Sequence, residues 1–134
     1  MSNNNLKIRL SVDSFYDNIS KKKQKTKIDP KQLSKSLGYD EKIINEFPDE
    51  INMGLSCGNP INHLKIKDGQ SLIDLGCGAG MDIFITKMRN PKVGTLYGLD
   101  RLDSMLEKAK KVRDNKKFDN IEFIKGELID IPLE

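Results

Sequence analysis

Along residues 8–20 (IRLSVDSFYDNIS) the apolar positions Ile8, Val12, Phe15 and Ile19 fall at spacings of four, three and four, which predicts a helix with one apolar face. A lysine run ends it. In DPKQLSKSLGY, Asp29 is placed to cap, Pro30 suits a first helical position, and Gly38 fits just past the end of a short helix over about 30–37. DEKIINEFP predicts another brief helix, begun by Asp40 and stopped before Pro48. The glycine-rich INMGLSCGNP follows, and then NPINHLK, where Asn59 and Pro60 form a further helix start.

From Ser71 the period changes. SLIDLG is nearly continuous in apolar residues, the pattern of a parallel strand buried on both faces. A helix is predicted over about 80–89, a second strand over 94–100 (GTLYGLD), and then a helix with Met105, Ala109 and Val112 on one stripe. NIEFIKG, 120–126, is the third strand. Strand and helix alternating in this way indicate an α/β sheet with right-handed crossovers. Residues 1–70 read as an N-terminal helical cap with a substrate-side loop, and 71–134 as the ligand-binding unit.

At 134 residues the chain amounts to one domain with room for a core. It shows no apolar run of ~18 residues and no apolar segment behind a basic start, so a cytoplasmic location with no membrane contact is expected. Two cysteines, Cys57 and Cys77, and one histidine, His63, are too few for a disulfide framework or a four-ligand zinc site. Residues 1–28 hold seven Lys/Arg and two Asp, giving +5, whereas the rest carries sixteen basic and eighteen acidic groups, giving −2. A nucleic-acid contact would therefore rest on KKKQKTK (21–27) alone; without interleaved aromatics the run reads better as a solvated linker, and no nucleic-acid partner is expected.

The chemistry is concentrated in LIDLGCGAG, residues 72–80. In an open α/β sheet the ligand lies beyond the carboxyl ends of the strands, and glycines in a turn there let the backbone approach it without a Cβ. Asp100 ends the second strand twenty residues after Gly80, where a carboxylate accepts hydrogen bonds from ribose hydroxyls. A dinucleotide fingerprint starting at Gly76 would need glycine where Met81 stands, and no phosphate-loop motif occurs. Asp74, an acid inside an apolar strand, needs a partner such as a cationic amine. A nucleoside bearing an amino acid fits that pattern.

LIDLGCGAG, YGLD and IKGELIDIP together resemble the first three strands of class I S-adenosylmethionine-dependent methyltransferases. LGYDEKIINEFPDEINMGLSCGNP is similar to the segment preceding that motif in arsenite methyltransferases. The resemblance implies a partial Rossmann-like three-layer sandwich, with S-adenosylmethionine as cofactor. It implies that Asp74, Gly76, Cys77, Gly78 and Gly80 line the methionine end, that Asp100 holds the ribose, and that Arg101, Glu127 and Leu128 lie by the adenine. Tyr16 would close over the cofactor, although Tyr16-Asp17 stands where the family usually has tyrosine-glycine. Cys57 would be the substrate thiol; read from the residues alone, it is better taken as a small buried hydrophobe.

Methyl transfer from a sulfonium chiefly demands alignment and a dry pocket, so few acid or base groups are needed. Trivalent arsenic is soft and selects sulfur ligands, and one or two cysteines leave a three-thiolate site incomplete. Family members continue with four more strands and further cysteines, so the chain is expected to be a fragment that binds cofactor without turning over alone. Its first strand would then have a bare apolar edge, open to a second copy or a complementary fragment. Two other readings remain: a non-catalytic nucleoside-binding or interaction module, and a methyltransferase of another small molecule with Cys57 structural.

Overall fold

A computed structural model of the chain describes residues 3–21, 29–52 and 58–132. The lysine run from 22 to 27, together with Met53, Leu55 and Cys57, lies outside the described residues. Three helices come first: α1 (Asn3–Ser20), α2 (Pro30–Ser36) and α3 (Glu41–Ile44). Two 3-10 turns follow, Asp49–Ile51 and Pro60–His63. Then β1 (Leu72–Leu75), α4 (Met81–Arg89), β2 (Leu96–Asp100), α5 (Asp103–Lys116) and β3 (Ile121–Lys125) alternate. The strands form one parallel sheet in the order β1-β2-β3, as the alternating pattern predicts.

Local chemistry accounts for the short helices. Asp29 accepts from the Lys31 amide at 3.4 Å with Pro30 in the first turn, and Gly38 leaves α2 with φ at +82°. Asp40 caps α3 through the Lys42 amide at 3.0 Å. Asn59 makes no side-chain cap, and the stretch opened by Pro60 is a single 3-10 turn because Leu64 already takes an extended backbone.

Register sets Leu72, Leu96 and Ile121 in one row and Asp74, Gly98 and Phe123 in the next. This face of the pleat packs under α4 and α5, against Ile83, Phe84, Leu106, Ala109 and Val112. Phe84, fully buried, is the hub: its ring stacks on Phe47 at 5.3 Å and meets Phe123 edge-on at 5.8 Å. Phe47 and Ile51 thus join the N-terminal segment to the same core.

Two expectations are corrected. β1 is not buried on both faces: Leu72, Ile73 and Asp74 are partly buried and Leu75 is 46% exposed. At the edge of the sheet it has a neighbouring strand on one side only among the described residues. In α1 the predicted apolar face does not meet the core. Ile8 is 63% exposed and Val12 and Phe15 are also exposed, leaving Ile19 as the buried member of the stripe. The helix is attached instead by its polar side, where Asp17 accepts from Ser104 Oγ at 2.6 Å and the Ser20 carbonyl accepts from Lys108.

Candidate functional site: a cavity over the glycine turn

The turn between β1 and α4 contains three positive-φ glycines, Gly76 (+79°), Gly78 (+56°) and Gly80 (+86°). Its backbone is anchored to β2: the Gly76 and Cys77 amides donate to the Leu99 carbonyl at 2.8 and 3.0 Å. The glycines do different things. A Cβ on Gly76 would meet nothing within 4 Å, and one on Gly78 only Met105 Sδ at 4.0 Å, so both positions open onto free space. A Cβ on Gly80 would sit 2.9 Å from Phe123 Cζ and 3.1 Å from Phe84 Cε2. Gly80 therefore serves close packing and the start of α4, and it does not line the cavity.

That free space is a cavity of about 770 Å³, within the ~300–1,000 Å³ common for small-molecule sites. Asp74, Gly76, Cys77 and Gly78 line one side and Asp100 and Arg101 the next. Glu127 and Leu128, after β3, and Tyr16, from α1, complete it. The residues singled out in the sequence come together here, apart from Gly80 in the core and Cys57 outside the described residues.

Asp100 is held in a fixed orientation. Its Oδ2 accepts from the Gly78 amide and its Oδ1 from the Leu102 amide, both at 2.9 Å. Each oxygen keeps a lone pair for a ligand hydroxyl. Asp74 has its carboxyl pushed up to about 6, first by burial and then by the nearby carboxylates of Asp82 and Asp100. Burial likewise raises Asp82, with the Tyr39 hydroxyl acting the other way. A cluster of acids held partly away from water favours a cation among them. Burial, reinforced by Asp74 and Asp100, pushes the Cys77 thiol far up, so Cys77 stays a neutral thiol in the wall and is no nucleophile.

Arg101 and Glu127, expected beside an adenine, are engaged in ion pairs with α1. Arg101 pairs with Asp13 and Glu127 with Arg9, so α1 is tied to the ends of β2 and β3. Arg9, Asp13 and Asp82 line the cavity and were not singled out in the sequence. The signal for the first two was the polar stripe Arg9, Asp13, Asp17, spaced by four, on the side of α1 opposite the apolar one. Asp82 reads in sequence as an ordinary first-turn acid of α4. Among the described residues, no group of three His, Cys, Asp or Glu side chains is arranged to hold a metal ion, and no helix is long and apolar enough to cross a membrane.

An arsenite methyltransferase of Halobacterium salinarum is 33% identical over 100 residues, covering 75% of this chain and 26% of that protein. The chain thus spans about a quarter of the length of the curated relative it matches. Among solved structures, the YcgJ protein of Bacillus subtilis is similar with a TM-score of 0.50 and 25% identity, over 55% of this chain and 30% of that one. The fold also matches a geranyl diphosphate C-methyltransferase from Streptomyces coelicolor, solved with Mg²⁺, geranyl diphosphate and S-adenosyl-L-homocysteine, at a TM-score of 0.51 and 17% identity over 55% and 28% of the two chains. A family model described as a methyltransferase domain matches residues 66–134, and the chain belongs to that family, the class I methyltransferases that use S-adenosylmethionine.

Proposed function

We propose that the cavity over the glycine turn holds S-adenosylmethionine, and that the domain serves methyl transfer to trivalent arsenic or its thiol conjugate. The observation that carries the first part is the Gly78 amide bond to Asp100 Oδ2, which fixes a side-chain-free turn and an oriented carboxylate on one cavity. The residues fit the cofactor: Asp100 retains acceptors for the ribose hydroxyls, Gly76 and Gly78 leave space where a Cβ would intrude, and Asp74 and Asp82 favour a positively charged tail. When bound, the cofactor supplies an electrophilic methyl group on a sulfonium. The chain's contribution is to orient and to exclude water, with Leu128, Met105 and Tyr16 as the apolar and aromatic boundary. Isothermal titration calorimetry tests this reading: S-adenosylmethionine binds, and Asp100→Ala weakens binding at least tenfold, whereas equal affinity for the variant defeats it.

The arsenic assignment is supported by the halobacterial relative and by sulfur chemistry. With Cys77 neutral and buried, Cys57 is the remaining thiol of these 134 residues, so further ligands to arsenic must come from thiols outside them. The isolated chain then binds cofactor without turning over. Arsenite is expected to protect Cys57, and not Cys77, from alkylation; equal labelling with and without arsenite favours a methyltransferase of another small molecule. The exposed edge of β1 fits pairing with a second copy or a complementary fragment, and sedimentation showing a stable, cooperative monomer speaks against such pairing.

A further inference from the structure

Tyr39 lies 43 residues before Asp82 in sequence and is 4% exposed, yet its hydroxyl oxygen sits 2.7 Å from Asp82 Oδ1 and 2.9 Å from the Gly58 carbonyl. A tyrosine hydroxyl has one proton to give. The Gly58 carbonyl can only accept, and an ionised Asp82 could also only accept. With Asp82 ionised, one hydroxyl proton has to serve both acceptors; with Asp82 protonated each contact is a full hydrogen bond, the Asp82 O–H donating to Tyr39 Oη and the Tyr39 O–H to Gly58. With Asp82 ionised, the hydroxyl proton turns to the charged acceptor, which makes the stronger bond, and the Gly58 carbonyl loses its donor.

We propose that Tyr39 is a positioning residue that couples the protonation state of Asp82, in the cavity wall, to the backbone at Gly58. The groups around this latch are consistent with it. Asp82 and Asp100 of β2 both add to the negative field at Asp74 of β1. Arg9 and Asp13 of α1 line the same cavity. On the other elements against α4, Glu41 and Lys42 of α3 and His63 of the second 3-10 turn are exposed to solvent. A cation entering beside Asp74 and Asp82 favours the charged form of both carboxylates. Loss of the Asp82 proton to solvent leaves Tyr39 with its own proton, which turns from Gly58 to Asp82, and the Gly58 carbonyl loses this donor. Gly58 follows Cys57 in sequence, so under the methyl-transfer reading occupancy of the cavity is signalled to the backbone beside the proposed substrate thiol; the latch itself does not depend on that reading.

The test is a pH titration of the whole 134-residue chain by carbon-13 and nitrogen-15 NMR, following Asp82 Cγ, the Gly58 carbonyl and the Asn59 amide. In the wild type, the Gly58 and Asn59 signals move with the same midpoint as Asp82. Tyr39→Phe abolishes their movement while Asp82 still titrates, a loss that a purely structural tyrosine would not produce. Asp82→Asn, whose amide can still donate to Tyr39, holds both signals at their low-pH positions throughout, and it serves if Tyr39→Phe fails to fold. Flat Gly58 and Asn59 signals through the Asp82 titration, or a response retained in Asp82→Asn, would overturn the latch. S-adenosylmethionine added at fixed pH should move Gly58 toward its high-pH position. If pH moves it and the cofactor does not, the latch stands and the cofactor reading fails.

Discussion

α4 and α1 are both amphipathic helices beside the same cavity, and they are held in opposite ways. α4 buries Ile83, Phe84 and Ile85 completely, whereas α1 leaves Ile8, Val12 and Phe15 in solvent and grips the protein through Arg9, Asp13 and Asp17. An apolar stripe establishes that a segment is helical; which face it turns inward depends on what the rest of the chain offers it. Exposed ion pairs contribute little individually, about 0.2–1 kcal/mol, whereas a buried phenylalanine hub contributes several times that. The base of the cavity is thus rigid, and its α1 side is weakly held.

Phe84→Ala would break this contrast most severely. It should cost about 3–5 kcal/mol in urea unfolding, while Phe15→Ala changes stability by less than about 0.5 kcal/mol. Equal losses would show that α1 is packed as firmly as α4.

Next in size is the comparison within the turn. Gly80→Ala combines backbone strain at φ +86° with a Cβ 2.9 Å from the Phe123 ring, and should cost about 2–4 kcal/mol. Gly76→Ala meets no neighbour and keeps only the strain of about 1–2 kcal/mol, but it should weaken cofactor binding more than its stability loss suggests. Thermal melts and calorimetry on the pair separate packing from binding.

Asp74 sharpens the account through pH. Its folded-state carboxyl is raised from 3.8 to about 6, so the native chain binds the extra proton between those values and this group's contribution to stability declines as pH rises through them. Asp74→Asn should accordingly stabilise the ligand-free chain at pH 7. A cationic ligand reverses the sign, and its affinity should rise by up to about tenfold as pH increases through 6 if binding lowers the Asp74 value by one unit. Titration at pH 5 and pH 7 checks this, and an affinity independent of pH would remove Asp74 from the site.

The smallest effect belongs to the α1 ion pairs. Arg9→Gln or Arg101→Gln should cost under about 1 kcal/mol, and the loss should shrink further in high salt. Faster amide exchange in α1, with α4 unchanged, is the expected hydrogen-exchange signature.

Much of the cavity was legible in sequence because its parts are local. A strand ending in LIDLG, glycines before a helix, and an acid at the end of the next strand are each fixed by neighbours a few residues away, and the sheet then brings Gly78 to Asp100. The caps at Asp29 and Asp40 were readable for the same reason. What the sequence could not show was long-range. Gly80 matches the other glycines by spacing, and only the Phe123 and Phe84 rings reveal that it serves the core. The partial exposure of β1 follows from its place at the edge of the sheet, which its apolar pattern does not encode and which was expected only from the strand order that the resemblance implies. The meeting of Tyr39 with Asp82 depends on α3, α4 and the Pro60–His63 turn packing together.

The central claim is that the glycine turn and Asp100 form one binding surface for a nucleoside with a cationic tail. Amide NMR during titration with S-adenosylmethionine tests it most directly. The account predicts the largest shifts at Gly76, Gly78 and Leu102, whose amides lie in the turn or on the Asp100 carboxylate. Saturating ligand that leaves those three signals in place, or that moves a different part of the molecule, would contradict it.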